Sequence, residues 1–245
     1  MTGAGAGLGR AMARALDSAG ARLILVGRTE ATLAQTAGLL DGTAGRRVCV
    51  ADVTDPEAVS ALGADLSAEG ISILVNNAGI GGPVKLLQEI EPAEWDQVFA
   101  SNVRSIYLMC RAFVPPMIAA GAGDVINISS VSGKRPLVRR TPYTASKMAV
   151  IGLTRTLAAE VGEHGVRVNS LSPGYVRGPR MERNFRLQAK STGVPVEEIE
   201  AAFVARTALR RMVTEEEVGS ALLAMLSMTA LSGADVDLSA GIVAP

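Results

Sequence analysis

Short apolar runs alternate along the chain with longer stretches in which apolar residues recur every three or four positions. Runs of the first kind predict strands and those of the second kind helices, so the alternation predicts a parallel sheet covered on both faces. Strands are predicted at 22–26 (RLILV), 47–51 (RVCVA), 71–75 (ISILV), 124–129 (DVINIS), 166–171 (VRVNSL) and 234–238 (ADVDL). Helices are predicted from Glu30 to about Leu40, after Asp55, from Pro92 to about Ala120, over 142–161, and from Thr214 to about Met225. Asp55-Pro56 and Thr141-Pro142 have the form of an N-cap and first helical residue, and Thr214 with Glu217 that of a capping box. Pro115-Pro116 is a candidate break in the long helix. At 245 residues, 1–245 has room for one well-buried α/β domain.

Composition narrows the function classes. The 24 basic and 24 acidic residues balance without a basic run, which excludes a nucleic-acid surface as the expected partner. Cys49 and Cys110 are isolated in apolar stretches and are expected as buried, reduced thiols, consistent with a cytoplasmic chain. His164 is the single histidine, so no metal site is expected. No apolar run reaches the length that spans a membrane.

The chemistry concentrates between Ser130 and Lys147. Tyr143 and Lys147 are four residues apart, which on a helix places the phenol and the ammonium on one face. A cation beside a phenol favours phenolate, and proton exchange with an alcohol requires that. Ser130, at the end of an apolar run, would bring its hydroxyl to the sheet edge, able to donate to a carbonyl or alkoxide oxygen. At the other end of the chain Gly3, Gly5, Gly7 and Gly9 run straight into a helical pattern. Such a turn brings backbone N–H groups and a positive helix end up to a pyrophosphate.

Together with Asn76-Asn77-Ala78-Gly79, Asn102 and the Y-T-A-S-K box, these residues resemble the short-chain dehydrogenase/reductase family over nearly the whole chain. The resemblance implies a Rossmann-like, doubly wound three-layer fold and hydride transfer between a nicotinamide dinucleotide and a carbonyl/alcohol pair. Tyr143 would be the acid/base, Lys147 its activator and a ligand of the nicotinamide ribose, Ser130 the polarising donor, and Asn102 the holder of a water that reaches the lysine. The cofactor would lie on Gly3, Gly5, Ala6, Gly7, Leu8 and Gly9, with Asp52-Val53, Asn76, Ala78-Gly79, Pro173-Gly174 and Val176 further along it. Gly27-Arg28 ends the first predicted strand, and Arg28 is suited to a 2′-phosphate, which favours NADP(H) and leaves NAD(H) open. A 3-oxoacyl or other small keto substrate is expected. The alternatives are an NAD-linked dehydrogenase of a small hydroxy acid or polyol, and a dinucleotide-binding sensor without turnover. Relatives of this kind are homo-oligomers, commonly tetramers.

Departures from the family pattern are visible too. Gly178 stands where relatives often carry a threonine that contacts the carboxamide, and Ser239-Ala240-Gly241 where Asp-Gly-Gly is common. The segment 178–212 is expected to be a helical substrate lid, crowded by Arg180, Arg183 and Arg186. Trp95 and Phe99 are expected in the core. Most unusual, Met1 directly precedes the glycine run, where relatives have an apolar central strand. The expectation is an empty lane between the strands at 22–26 and 71–75, with unpaired backbone and exposed apolar side chains, and a chain that begins upstream or is a fragment.

Overall fold

The structure, a computed structural model, describes residues 1–242 apart from the side chains of Arg180, Leu187 and Ser191. Among the described residues six strands, paired in parallel, form two sheets: β1 (Leu23–Gly27), β2 (Arg46–Val50), β3 (Ile73–Asn76), β4 (Gly123–Ile128), β5 (Val166–Pro173) and β6 (Asp235–Leu238). They pair as β2-β1 and as β3-β4-β5-β6, with Ile73 opposite Asp124 and Gly123 opposite Val166. Nine helices surround them: α1 (Gly7–Ser18), α2 (Glu30–Ala37), α3 (Pro56–Asp65), α4 (Pro92–Phe99), α5 (Ser105–Ala120), α6 (Thr141–Val161), α7 (Pro179–Thr192), α8 (Val196–Val204) and α9 (Glu215–Ser227), counted among the described residues.

Successive strand residues point to opposite faces. Ile24, Val26, Leu74, Val125 and Val168 pack with α3, α5 and α6, while Leu23, Leu25, Val75, Ile126 and Leu171 pack with α1, α2 and α9. These are the two helical layers of a doubly wound α/β fold. α7 and α8 share a smaller cluster built on Phe185, Ile199 and Met212, with Tyr175 and Phe203 against it.

The two groups of strands do not pair with each other, as expected, but the lane between them is not empty. Residues 1–4 enter its C-terminal end. The Val26 N–H donates to the Met1 carbonyl at 2.9 Å, the Thr2 N–H to Val75 at 2.9 Å and the Ala4 N–H to Val26 at 3.3 Å. Nor are apolar side chains exposed there: Leu25 and Leu74 are 0% and 2% accessible. Strand side chains point at the sheet faces, where helices cover them, so a missing neighbour bares main-chain edges rather than side chains.

Three local expectations also need correction. The long helix runs through Pro115 and Pro116, which lie on its exposed side, so the carbonyls left without a donor belong to exposed or half-buried residues, Arg111 and Ala112. The interruption comes instead at a π-turn over Ala100–Arg104, centred on buried Asn102. Thr141 is the first residue of α6 rather than its cap, and Pro142 at the second position is tolerated because its missing N–H has no helical acceptor there. Trp95 and Phe99 stack at 5.1 Å on a half-buried face instead of entering the core. The cap at Asp55 and the capping box at Thr214 form as the sequence predicts.

Candidate active site

The first turns of α6 present Tyr143 and Lys147 to the C-terminal ends of the strands. Lys147 is 6% accessible, and its ammonium donates to the Ile128 carbonyl, the last of β4, at 2.8 Å. That ammonium lies 5.9 Å from the centre of the Tyr143 ring, and the Arg140 guanidinium lies 5.4 Å from it. Two cations therefore flank one phenol. Arg140 is itself held by the Gly81 carbonyl at 2.7 Å.

Ser129 and Ser130 continue from β4. The Ser129 hydroxyl donates to the Lys147 carbonyl at 2.9 Å, and Ser130 Oγ accepts the Ser132 N–H at 3.1 Å. The loop carrying Ser130 is thus fixed to the helix carrying the tyrosine. Asn102 Oδ1 accepts the Ile80 N–H at 2.8 Å, and its amide donates to the Ile80 carbonyl at 3.0 Å and to Ser146 Oγ at 2.9 Å. Ser146 donates in turn to the Tyr143 carbonyl at 2.7 Å. Gly79 sits between Asn102 and Lys147: a methyl group built on it would lie 2.9 Å from Asn102 Oδ1 and 3.8 Å from Lys147 Nζ. Asn102, Ser130, Tyr143 and Lys147 are thereby brought to one region.

The glycine loop is tied to the end of β3. Thr2 Oγ1 accepts the N–H groups of Asn77 and Ala78, and the Asn77 amide donates to the carbonyls of Thr2 and Gly3 at 3.2 and 3.1 Å. Gly9 is required by packing, because a Cβ there would lie 2.0 Å from the Gly3 carbonyl oxygen. Gly7 is different: its φ is +51°, and beyond its own helix and chain neighbours the one atom of the described residues within 4 Å of a Cβ built on it is Glu215 Oε1, at 3.8 Å. Ala6, the N-cap of α1, offers no side-chain acceptor, so the first-turn N–H groups are left without a side-chain cap. A phosphate-bearing group fits this cradle.

Other predicted residues divide by where their side chains go. Arg28 is exposed beyond β1, near enough to Asp52 to help hold that carboxyl below its usual range, although the Thr54 N–H is the larger cause. Val53 is core. Asn76 is turned into the protein, its amide donating to Asn127 at 2.9 Å and reaching the Cys110 sulfur at 3.7 Å, so its expected place beside the cofactor is left to its main chain. Pro173 ends β5, and Val176 bridges to Val213, fixing the start of the segment toward α7. Cys49 and Cys110 are buried free thiols, and burial pushes Cys110 up to about 12. The side chain of Arg180 lies outside what is described.

Sequence reasoning missed Thr2, Asn77 and Ser146 as structural holders of the site. Each sits inside a motif already picked out: Thr2 beside the glycine run, Asn77 in Asn76-Asn77-Ala78-Gly79 and Ser146 in the Y-T-A-S-K box.

The family model for short chain dehydrogenases matches residues 1–190. The chain belongs to the short-chain dehydrogenase family. It is 47% identical over 180 residues to galactitol 2-dehydrogenase (L-tagatose-forming) of Cereibacter sphaeroides, covering 72% of this chain and 70% of that one. Galactitol 2-dehydrogenase of Rhizobium johnstonii is 36% identical over 248 residues, 98% and 93% of the two chains. Among solved structures, L-sorbose reductase of Gluconobacter frateurii, complexed with NADPH and L-sorbose, superposes with a TM-score of 0.94 at 26% identity, over 100% of this chain and 95% of that one. Like other short-chain dehydrogenases, the protein is an oxidoreductase that uses a nicotinamide dinucleotide on an alcohol/ketone pair. Among the described residues no helix is long and apolar enough to cross a membrane.

Proposed function

We propose that this short-chain dehydrogenase interconverts a small polyol and its ketose with NADP(H), using Tyr143 as acid/base. The reading rests chiefly on the placement of Tyr143 one turn before a buried Lys147 that is fixed to the end of β4. The two galactitol dehydrogenases and the sorbose reductase support the substrate class. Exposed Arg28, with Gly27 offering no carboxylate, supports NADP(H) over NAD(H).

The dinucleotide would be held by the first turn of α1, by Arg28 and Asp52 at the adenosine end, and by Lys147 near the nicotinamide. When bound, it supplies the hydride to the carbonyl carbon or accepts it from the alcohol. Tyr143 donates its phenolic proton to the carbonyl oxygen in reduction and takes the alcohol proton in oxidation. The Lys147 ammonium provides positive charge beside the phenol as the proton leaves. Ser130 donates a hydrogen bond to the same substrate oxygen, holding it for transfer. Asn102, through Ser146, fixes the main chain of Tyr143. A cavity of about 500 Å³ between Gly81-Gly82, Val84 and Arg140 on one side and Pro179, Arg183 and Asn184 of α7 on the other would admit a small substrate. The segment 178–212 would act as its lid within a single domain, and the working form would be a cytoplasmic homo-oligomer.

The test is turnover of NADPH and NADH, followed by absorbance, against a panel of ketoses, hydroxy acids and 3-oxoacyl thioesters. Ketose reduction favouring NADPH is expected. Turnover of 3-oxoacyl thioesters alone would replace the substrate class, and dinucleotide binding without turnover of any panel member would replace the enzyme reading with a sensor.

A further inference from the structure

α1 and α9 lie side by side with their N-terminal ends together, since a methyl group on Gly219 of α9 would lie 2.8 Å from the Ala15 side chain and 3.4 Å from the Ala11 carbonyl. The first residue of α9 is Glu215, and its carboxylate reaches across to α1. Its Oε1 lies 3.8 Å from a Cβ built on Gly7 and 2.7 Å from one built on Gly178. The position that a side chain at 178 would fill is filled by this carboxylate instead. Glu215 is half-buried, and among the described residues its carboxylate takes part in no hydrogen bond or ion pair. The nearby charges are Glu216, which repels it, and Arg10, whose guanidinium is turned to Thr36 and the Gly5 carbonyl.

The surroundings explain why an acid stands here. The N-terminal, positive ends of α1 and α9 both lie beside it, and the first-turn N–H groups of α1 have no side-chain cap. A dinucleotide pyrophosphate would need that same space. We propose that Glu215 is an internal anion at the N-terminus of α1 that opposes the dinucleotide phosphates and thereby sets the affinity for the cofactor. The inference rests on the dinucleotide reading given above. Burial and Glu216 raise the carboxyl above its ordinary range, as expected for an acid held in a place without a partner. An unpaired acid aimed at a phosphate site weakens binding by ordinary Coulomb repulsion, and the loss is modest because solvent reaches the site.

Calorimetric titration of the full chain with NADPH and with ADP-ribose, which carries the pyrophosphate without the nicotinamide, tests this. Wild type, Glu215→Gln and, as a control of equal charge change, Glu216→Gln are compared. Glu215→Gln is expected to tighten both ligands by about three- to tenfold, corresponding to a small change in Coulomb energy, with Glu216→Gln giving the smaller effect. Unchanged or weaker binding by Glu215→Gln would overturn the inference. So would a change confined to NADPH, which would make Glu215 a partner of the nicotinamide. If wild type binds NADPH but the variant binds no differently, only this inference falls. If none of the three proteins binds either ligand, the dinucleotide reading falls and takes this one with it.

Discussion

Thr2 Oγ1 accepts two main-chain hydrogen bonds, from Asn77 at 3.0 Å and Ala78 at 3.1 Å, and so joins the start of the glycine loop to the end of β3. The hydroxyl is buried, with Thr2 2% accessible. Thr2→Val keeps the shape and removes the acceptor, leaving two N–H groups short of a partner. Loss of about 1–3 kcal/mol is expected in denaturant unfolding, while Thr2→Ser retains most of the stability. Equal stability of the Val variant would mean that the loop is held by other contacts.

Tyr143→Phe keeps the ring between Lys147 and Arg140 but has no proton to transfer. Turnover is expected to fall below detection while NADPH binds within a few-fold of wild type. A variant with activity close to wild type would remove Tyr143 from the role of acid/base.

Much of this site was legible in the sequence because its chemistry is local. Tyr143 and Lys147 meet through helical periodicity alone, and Thr214 with Glu217 caps α9 as its spacing predicts. What was not legible depends on contacts between distant segments. The Asn102 π-turn answers to Ile80 and Ser146, which no local pattern relates to it. Asn76 is drawn inward by Asn127, itself bonded to Thr154 at 3.0 Å. That β1 and β3 do not pair was legible in the sequence, but not the way residues 1–4 enter the lane between them, since that depends on both flanking strands at once.

Arg28 is exposed where β1 ends, as a phosphate contact requires. Arg28→Ala is expected to weaken NADPH about ten- to a hundredfold, the value of a charge-assisted hydrogen bond, and to leave NADH unchanged. Parallel losses for both cofactors would mean that Arg28 supports the fold rather than the 2′-phosphate.

Glu217 accepts two bonds from Arg211, at 2.8 and 2.6 Å, and one from the Thr214 N–H, which lowers its carboxyl to about 2. A depressed folded value means that the carboxylate form is favoured by folding. Its contribution is therefore complete above the ordinary value of 4.5 and is lost as pH falls from there toward 2. Both side chains are more than one-third exposed, so solvent screening limits the pair and cap together to about 1 kcal/mol. Glu217→Gln should lower stability at pH 7 by that amount and flatten the acid limb of the stability curve. An unchanged acid limb would show that other carboxylates govern it.

The lane between β1 and β3 makes the last prediction. Val26 uses both of its lane-facing groups on Met1 and Ala4 and Val75 its carbonyl on Thr2, and the Met1 ammonium donates to the Ile24 carbonyl at 2.9 Å. By alternation along parallel strands, the N–H of Ile24 and both main-chain groups of Ile73 face the lane ahead of Met1. The ammonium is partly buried, and desolvation lowers it to about 6 from 8.0. For a cationic group with a depressed folded value, the folded state binds fewer protons than the unfolded chain between those two values. Stability of this 245-residue chain should therefore rise as pH goes from 6 to 8, by about 2–3 kcal/mol from this group. Placing a short β-branched segment before Met1 would replace the ammonium with an amide and give Ile24 and Ile73 a strand to pair with. The extended chain is expected to melt several degrees higher and to lose the rise between pH 6 and 8. An extension that leaves the melting temperature unchanged would mean that the lane is closed to further chain, and that the helices over Leu25 and Leu74 already satisfy this part of the core.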